Sequence, residues 1–253
     1  MTHVRLVARA TAQEPSAGLE DRFAGRWDPR RTFQPGVGVL VQAVADALEA
    51  AGWRDPATPD AAGGLVVGTD LHCFESGARF LRRVRSPRAG TIPPTDFLFA
   101  LASSAAASVG VAVGLAEYQS TIAMHGRSGF EAVRHAADRI RLGRLPRAVA
   151  AALTLVGPAA APVLGGPGPF TMAAAWCLEG SSVPGGVLVD PDAGDGEGKQ
   201  TTQVLADVPE PYRHLAAPSL LAAGRWIERL GACTVLHSDP VLGGASSIAF
   251  VID

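Results

Sequence analysis

A strand, a short turn and a helix follow one another in the segment Ser120–Ala136, which reads S-T-I-A-M-H-G-R-S-G-F-E-A-V-R-H-A. The first residues of the segment favour an extended strand, and apolar residues recur at helical spacing from Phe130 onwards. Gly126 and Gly129 permit the unusual backbone angles of a sharp elbow. We therefore predict an α/β framework of the kind that displays a nucleophile, with Gly126 at the apex and no side chain there to react.

Strand and helix patterns alternate along the rest of the chain. Short apolar runs bounded by Gly and Pro read as buried strands, and stripes of period 3.6 read as helices. The strands are predicted at Val4–Ala8, Gly64–Thr69 and Ala148–Val156, and the helices at Val37–Leu48 and Phe97–Leu115. This alternation predicts an α/β fold class, and the chain of 253 residues is long enough for one large core.

Charge and composition exclude several classes of function. Hydrophobic residues make up 47% of the chain and charged residues 18%, as in a compact globular protein. The net charge of −2 gives no general basic field for nucleic acid. A local cluster of basic residues is either a solvated face or a docking surface for an acidic partner, and it consists of Arg79, Arg82, Arg83, Arg85 and Arg88.

Neither a metal site nor a bound cofactor is predicted. The three cysteines, Cys73, Cys177 and Cys233, are far apart and lack any C-x-x-C spacing. The acidic run at positions 190–197 lacks the spacing of a calcium loop, and the glycines at positions 165–168 lack that of a dinucleotide site. No apolar stretch approaches the roughly 20 residues that span a bilayer, so we expect a cytoplasmic protein.

The elbow resembles that of the ketosynthases of the thiolase fold, whose motif reads T/S-A-C-S/T-S-G. Aligned without a gap, Gly126 takes the place of the acyl-accepting cysteine, and Ser128 and Gly129 match the end of the motif. The nearest likeness is to chain length factors, ketosynthase-like subunits that lack the cysteine. A glycine turn also joins strand to helix in unrelated α/β domains, so the elbow alone leaves both interpretations open.

The resemblance extends along most of the chain. The sequence A-G-W after the first helix, the strand V-V-G-T, the strand at Thr171–Glu179 and the final segment His237–Asp253 follow the family order. This implies one thiolase-like domain over residues 1–253, with layered αβαβα architecture and mixed sheets. Residues 1–156 would form the ketosynthase N-terminal-like half, and 157–253 a shortened second half. The family's histidine motifs are absent, so we expect no condensation by this chain alone.

Two groups of site residues are implied by the resemblance. In heterodimers of this family the strand before the elbow pairs with the partner subunit, and here that strand contains Gln119, Ser120, Thr121, Ile122 and Ala123. The preceding helix lines the acyl tunnel, which implicates Phe97, Phe99, Ala100 and Ser103. The alternatives are an internal strand of a monomer and a helix whose small residues serve only close packing.

The sequence thus predicts a noncatalytic, chain-length-factor-like subunit that shapes the acyl tunnel in type II fatty acid or polyketide biosynthesis. Its partners would be a full-length ketosynthase, in a heterodimer, and an acyl carrier protein, bound directly or through the ketosynthase. One alternative is an enzyme in which His125, Arg127 and Ser128 perform a non-condensing acyl reaction, although a lone histidine is often structural. Another is a homodimeric module that binds acyl carrier proteins.

Overall fold

The structure is a computed structural model that describes residues 3–19, 23, 36–53, 63–86, 92–115, 117–182, 187–190, 199–200, 208–213, 215–230, 233–238 and 245–252. Arg88, most of the acidic run and the glycines of the final segment lie outside these ranges. The strands are β1 (His3–Ala12), β2 (Gly64–Asp70), β3 (Tyr118–Ile122), β4 (Arg147–Val156), β5 (Phe170–Ser181), β6 (Val187–Asp190), β7 (Lys199–Gln200), β8 (Cys233–Ser238) and β9 (Ala245–Ile252). The helices are α1 (Val37–Ala50), α2 (Phe74–Val84), α3 (Pro94–Leu98), α4 (Ser104–Val113), α5 (Ser128–Arg141) and α6 (Ala216–Leu230).

The described strands form one mixed sheet in the order β3-β2-β4-β5-β1-β6-β9-β8-β7. Strand β2 lies parallel to both β3 and β4, whereas β5 runs antiparallel to β4 and to β1. Strand β6 then joins β1 to the last strands of the chain. The predicted α/β class is confirmed, and hydrogen bonds connect the strands of the first and second halves.

Both faces of the central strands are buried, which explains why their sequences are apolar without alternation. Val66, Ala150 and Trp176 face a core cluster formed with α5 and α6. Neighbouring residues such as Leu65 and Val149 face a second cluster, formed with α1 and α4. Because successive side chains point to opposite faces of a strand, a single apolar run serves both clusters.

Glycines bring α5 unusually close to the sheet and to α6. A Cβ atom on Gly68 of β2 would collide with the Ser128 backbone at the start of α5. A Cβ on Gly129 would lie 2.6 Å from the Ala216 carbonyl oxygen of α6. Gly129 thus provides room for close packing of two helices.

The predicted buried helix at Phe97–Leu115 is wrong in its first part. The structure contains α3, a break at residues 99–103 and then α4. The side chain of Phe97 is exposed, whereas Ala105 and Val109 of α4 are buried. Pro93 and Pro94 start a separate short helix here, so the apolar run of the sequence crosses two elements with different surroundings.

The close approach at Gly68 gives a stability prediction. Gly68→Ala should lower the free energy of unfolding by about 1 to 3 kcal/mol, because the methyl group meets rigid backbone rather than a flexible side chain. Gly77→Ala in α2 is the matched control, since nothing lies within 4 Å of the added Cβ, and it should stabilise by about 0.5 kcal/mol. Urea unfolding checks both values, and equal effects of the two substitutions would contradict the close contact.

Candidate functional site

The elbow at the end of β3 differs in detail from its prediction. The left-handed residue is His125, with φ of 52°, so the apex lies one residue before Gly126. A local bridge joins Met124 to Gly126, and α5 then begins at Ser128. A left-handed backbone in histidine is uncommon and costs energy, so the contacts around it must hold the turn in place.

Ser128 supplies those contacts. Its hydroxyl oxygen accepts a hydrogen bond from the Met124 N–H at 2.8 Å. The hydroxyl proton faces two carbonyl acceptors, of His125 at 2.6 Å and of Thr69 at 3.0 Å. The side chain is completely buried. Ser128 therefore closes the elbow and ties it to the end of β2.

Polar residues are buried where the parallel strands β2 and β4 end. Asp70 and Thr154 are neighbours in register across these strands. The Asp70 carboxylate accepts a hydrogen bond from the Ala216 N–H at 2.6 Å, and the Thr154 hydroxyl accepts one from the Ala217 N–H at 3.1 Å. Both groups thus cap the first turn of α6, where helix amides lack intrahelical partners and the helix dipole favours a carboxylate.

His72 lies in the loop after β2 and is also buried. Its Nδ1 lies 2.7 Å from the Thr69 hydroxyl, while its Nε2 makes no hydrogen bond within the described residues. Burial away from water lowers the pKa of His72 from about 6.5 to about 4, because the charged imidazolium loses its hydration. His72 is therefore neutral at physiological pH.

A pocket of about 450 Å³ lies between α4 and the edge strand β3. Part of each predicted group lines it: Phe99 and Ser103 of the implied tunnel, and Gln119, Ser120 and Thr121 of the implied interface. The remaining lining residues are Leu98, Leu101, Ser104, Ala106, Ala107 and Ser108. The pocket exists because the side chains of α4 that face it are small. Much of its lining is aliphatic.

The other predicted residues lie elsewhere. Phe97 contacts Phe80 of α2, with ring centroids 6.0 Å apart, and Ala100 is absent from the pocket lining. Ile122 ends β3 and Ala123 follows it, exposed. The elbow residues His125, Arg127 and Ser128 lie beyond the carboxyl end of β3 and do not line this pocket.

Asp70, His72 and Thr154 were not identified from the sequence. The sequence pattern that could have identified them is a polar residue at the end of a buried apolar strand, as in G-L-V-V-G-T-D-L-H. In parallel sheets, functional groups gather at the carboxyl ends of the strands, so this pattern marks the same edge in other chains.

The thiol of Cys177 is buried, and burial raises its pKa to about 12. Among the described residues, His, Cys, Asp and Glu form no group of three that could hold a metal ion. No helix within the described part of the chain combines the length and apolar character needed to cross a membrane.

Comparison with known families identifies the chain. The beta-ketoacyl synthase N-terminal domain family matches residues 8–164, which is more than half of the sequence. The fold and the elbow define a ketosynthase-like protein of the thiolase-like class. The chain belongs to the beta-ketoacyl synthase family, as the sequence resemblance predicted. No curated protein matches the sequence.

Solved structures confirm the thiolase-like fold. The chain is similar to the ishigamide ketosynthase/chain length factor, with a TM-score of 0.68, 13% identity and 98% of each chain covered. It is also similar to the ketosynthase ApeO in complex with its chain length factor ApeC from Xenorhabdus doucetiae, with a TM-score of 0.59, 11% identity and 98% of each chain covered. A third similar structure is AntDE:AntF, a type II acyl carrier protein in complex with its ketosynthase bound to the hexaketide. There the TM-score is 0.52 and the identity 15%, over 76% of this chain and 64% of the other.

The lowered pKa of His72 predicts a pH dependence of stability. Above pH 6.5 the imidazole is neutral in the folded and the unfolded chain, so it contributes no pH dependence. As the pH is lowered from 6.5 to about 4, the unfolded chain takes up a proton that the folded chain does not. The free energy of unfolding therefore decreases as the pH falls through this range.

Between pH 7 and pH 5 this group should cost about 2 kcal/mol of unfolding free energy. Urea unfolding of the wild-type protein and of His72→Gln at both pH values measures the effect. From pH 7 to pH 5, the unfolding free energy of His72→Gln should decrease by about 2 kcal/mol less than that of the wild type. An identical decrease in both proteins would mean that His72 is protonated as readily when folded as when unfolded.

Proposed function

We propose that this chain is a noncatalytic, chain-length-factor-like subunit that pairs with an active ketosynthase in type II fatty acid or polyketide biosynthesis. It acts as one thiolase-like domain whose pocket completes the acyl tunnel of the complex. The observation that carries the proposal is the open edge of β3 directly beside the pocket. An acyl carrier protein delivers the chain to this complex.

The edge of β3 is suited to pairing with another strand. Within the described sheet β3 is hydrogen-bonded to β2 alone, so its outer N–H and C=O groups face away from the sheet. Its sequence, Y-Q-S-T-I, contains no charged residue and no proline, the usual devices that prevent edge pairing. A partner strand would satisfy these groups and extend the sheet.

The pocket has the surface expected for an acyl chain. Leu98, Phe99 and Leu101 form apolar wall, and small residues of α4 leave space along the helix. A strand added to β3 would lie beside the mouth of the pocket and turn it into an enclosed passage. The volume would then limit the length of the product.

The elbow supports a role without catalysis. Glycine at position 126 offers no acyl acceptor, and Ser128 is buried with its hydroxyl engaged in the turn. Ser128 therefore has a structural role in the turn. No reacting group is needed for a subunit that contributes a surface and a cavity.

Substitution of β3 by proline tests the interface. Neighbouring residues of a parallel strand point their N–H groups to opposite sides, so one of Ser120 and Thr121 faces β2 and the other the open edge. Proline on the open side should leave the fold intact and abolish co-elution with the ketosynthase encoded nearest to this protein. Proline on the β2 side should lower the melting temperature, because it removes a hydrogen bond of the sheet.

Size-exclusion chromatography of the co-expressed pair, with circular dichroism melting of each variant, gives the result. Gln119→Ala is the control for side-chain loss. If wild-type protein elutes apart from the ketosynthase, or if both proline variants still co-elute, β3 is not the interface.

Filling the pocket tests the tunnel. Ala107→Phe places a phenyl ring in the pocket and should shorten the products of the reconstituted complex, as read by mass spectrometry. Val111→Phe is the matched control, because Val111 lies one turn further along α4, is exposed and does not line the pocket. Unchanged product lengths with Ala107→Phe in an assembled complex would exclude a tunnel at this position.

A further inference from the structure

The pocket between α4 and β3 carries a hydroxyl group on each of its two sides. On α4, Ser104, Ala107 and Ser108 lie three or four residues apart and line the pocket, while Val109 packs into the core cluster formed with α1. Ser108 therefore lies on the pocket face of the helix. It is half-buried, and within the described residues its hydroxyl makes no hydrogen bond.

Strand β3 presents its hydroxyl group through Thr121. Thr121 is paired with Val67 of β2, whose side chain lies in the cluster formed with α1 and α4. Residues paired across parallel strands point to the same face of the sheet, so the Thr121 side chain also faces α4. Ser120 is paired with Val66 and points to the opposite face. The Thr121 hydroxyl, like that of Ser108, has no hydrogen bond in the part of the chain that the structure describes.

Other polar side chains of the lining are already hydrogen-bonded. The Ser104 hydroxyl donates to the Leu101 carbonyl at 2.6 Å, and the Gln119 amide donates to the Leu115 carbonyl at 2.9 Å. These bonds leave Ser108 and Thr121 as half-buried hydroxyls with capacity to bond to a ligand.

Neither hydroxyl is needed to make the pocket. Alanine already supplies a small side chain at position 107, and valine at position 121 would have the shape of threonine without its hydroxyl. The two hydroxyls thus add hydrogen-bonding capacity to a cavity whose lining is otherwise mainly apolar.

Closure of the pocket changes the surroundings of both hydroxyls. In the open chain they can bond to water. A strand added to β3 would exclude that water, and a buried hydroxyl without a partner is costly. A saturated chain offers no hydrogen-bonding atom, whereas a keto oxygen accepts a hydrogen bond from a hydroxyl. The closed pocket would therefore favour an acyl chain that carries oxygen atoms.

We propose that Ser108 and Thr121 select an acyl chain that bears keto or hydroxyl oxygens along its length, in preference to a saturated chain. The inference rests on the proposed function and names the class of substrate that the pocket takes. The apolar lining holds the carbon chain, and the two hydroxyls bond to its oxygens from opposite sides. Of the two pathways in the proposed function, this selection favours polyketide biosynthesis.

The experiment compares two non-hydrolysable pantetheine amides of equal chain length, one saturated and one with isolated keto groups in the distal half of the chain. Affinity is measured by isothermal titration calorimetry on the assembled complex of this chain with its ketosynthase. The wild-type complex should bind the keto amide about tenfold more tightly, as two hydrogen bonds of ordinary strength allow. Ser108→Ala with Thr121→Val should abolish this preference and bind the saturated amide more tightly than wild type does.

Ser104→Ala is the matched control, because Ser104 lines the same pocket but its hydroxyl is engaged with the Leu101 carbonyl. This variant should keep the wild-type preference. The ratio of the two affinities separates recognition from stability, since a loss of packing would weaken both amides alike.

Assembly is checked first, by co-elution of the two chains. An assembled wild-type complex that binds both amides equally would overturn the inference and leave the proposed function intact, and so would a double variant that keeps the preference. In either case trapped water would satisfy the two hydroxyls. If the wild-type chains do not assemble, the proposed function fails, and this inference fails with it.

Discussion

The contact between Gly68 and the Ser128 backbone is the constraint on which the rest of the site depends. It lets α5 approach β2 closely enough for the Ser128 hydroxyl to reach the Thr69 carbonyl. The bonds of the same hydroxyl with the Met124 N–H and the His125 carbonyl hold the strained turn at His125. Any side chain at position 68 would push α5 outward and separate these groups. The geometry of the elbow is therefore set by close backbone packing together with the buried Ser128 hydroxyl, and it needs no nucleophile at position 126.

The same packing connects the two halves of the chain. Gly129 admits the Ala216 carbonyl, and the first turn of α6 then lies where Asp70 and Thr154 can cap it. A buried carboxylate is costly unless it is hydrogen-bonded, and the amides at a helix start are suitable donors. A site at the carboxyl ends of the strands is thus used to hold a helix of the second half.

Much of the first half could be predicted from the sequence. The strands β2, β4 and β5 and the helix α5 have long, unambiguous patterns, because both faces of the sheet and one face of the helix are buried. The family likeness also gave the order of the elements. The role of Gly129 differs from its prediction, because the sequence pattern indicates a special backbone conformation whereas the structure uses the missing side chain for close approach to α6. The break between α3 and α4 was missed because apolar composition does not distinguish buried from exposed residues.

Parts of the site depend on contacts that no local pattern encodes. Asp70 meets Ala216 across 146 positions of sequence, and His72 is buried although it lies in a loop. The left-handed angle at His125 likewise follows from the bonds of Ser128 rather than from the preference of histidine. Such residues are identified once the fold brings the strand ends together.

The two ends of the sheet differ in a way that favours one interface. At one end of the described sheet β7 has two residues, and very short edge strands resist pairing. At the other end β3 has five uncharged residues and lies beside an apolar pocket. An exposed edge of this kind is a template for pairing with another strand. Coverage by a subunit of the same fold would satisfy the edge and close the pocket at the same time.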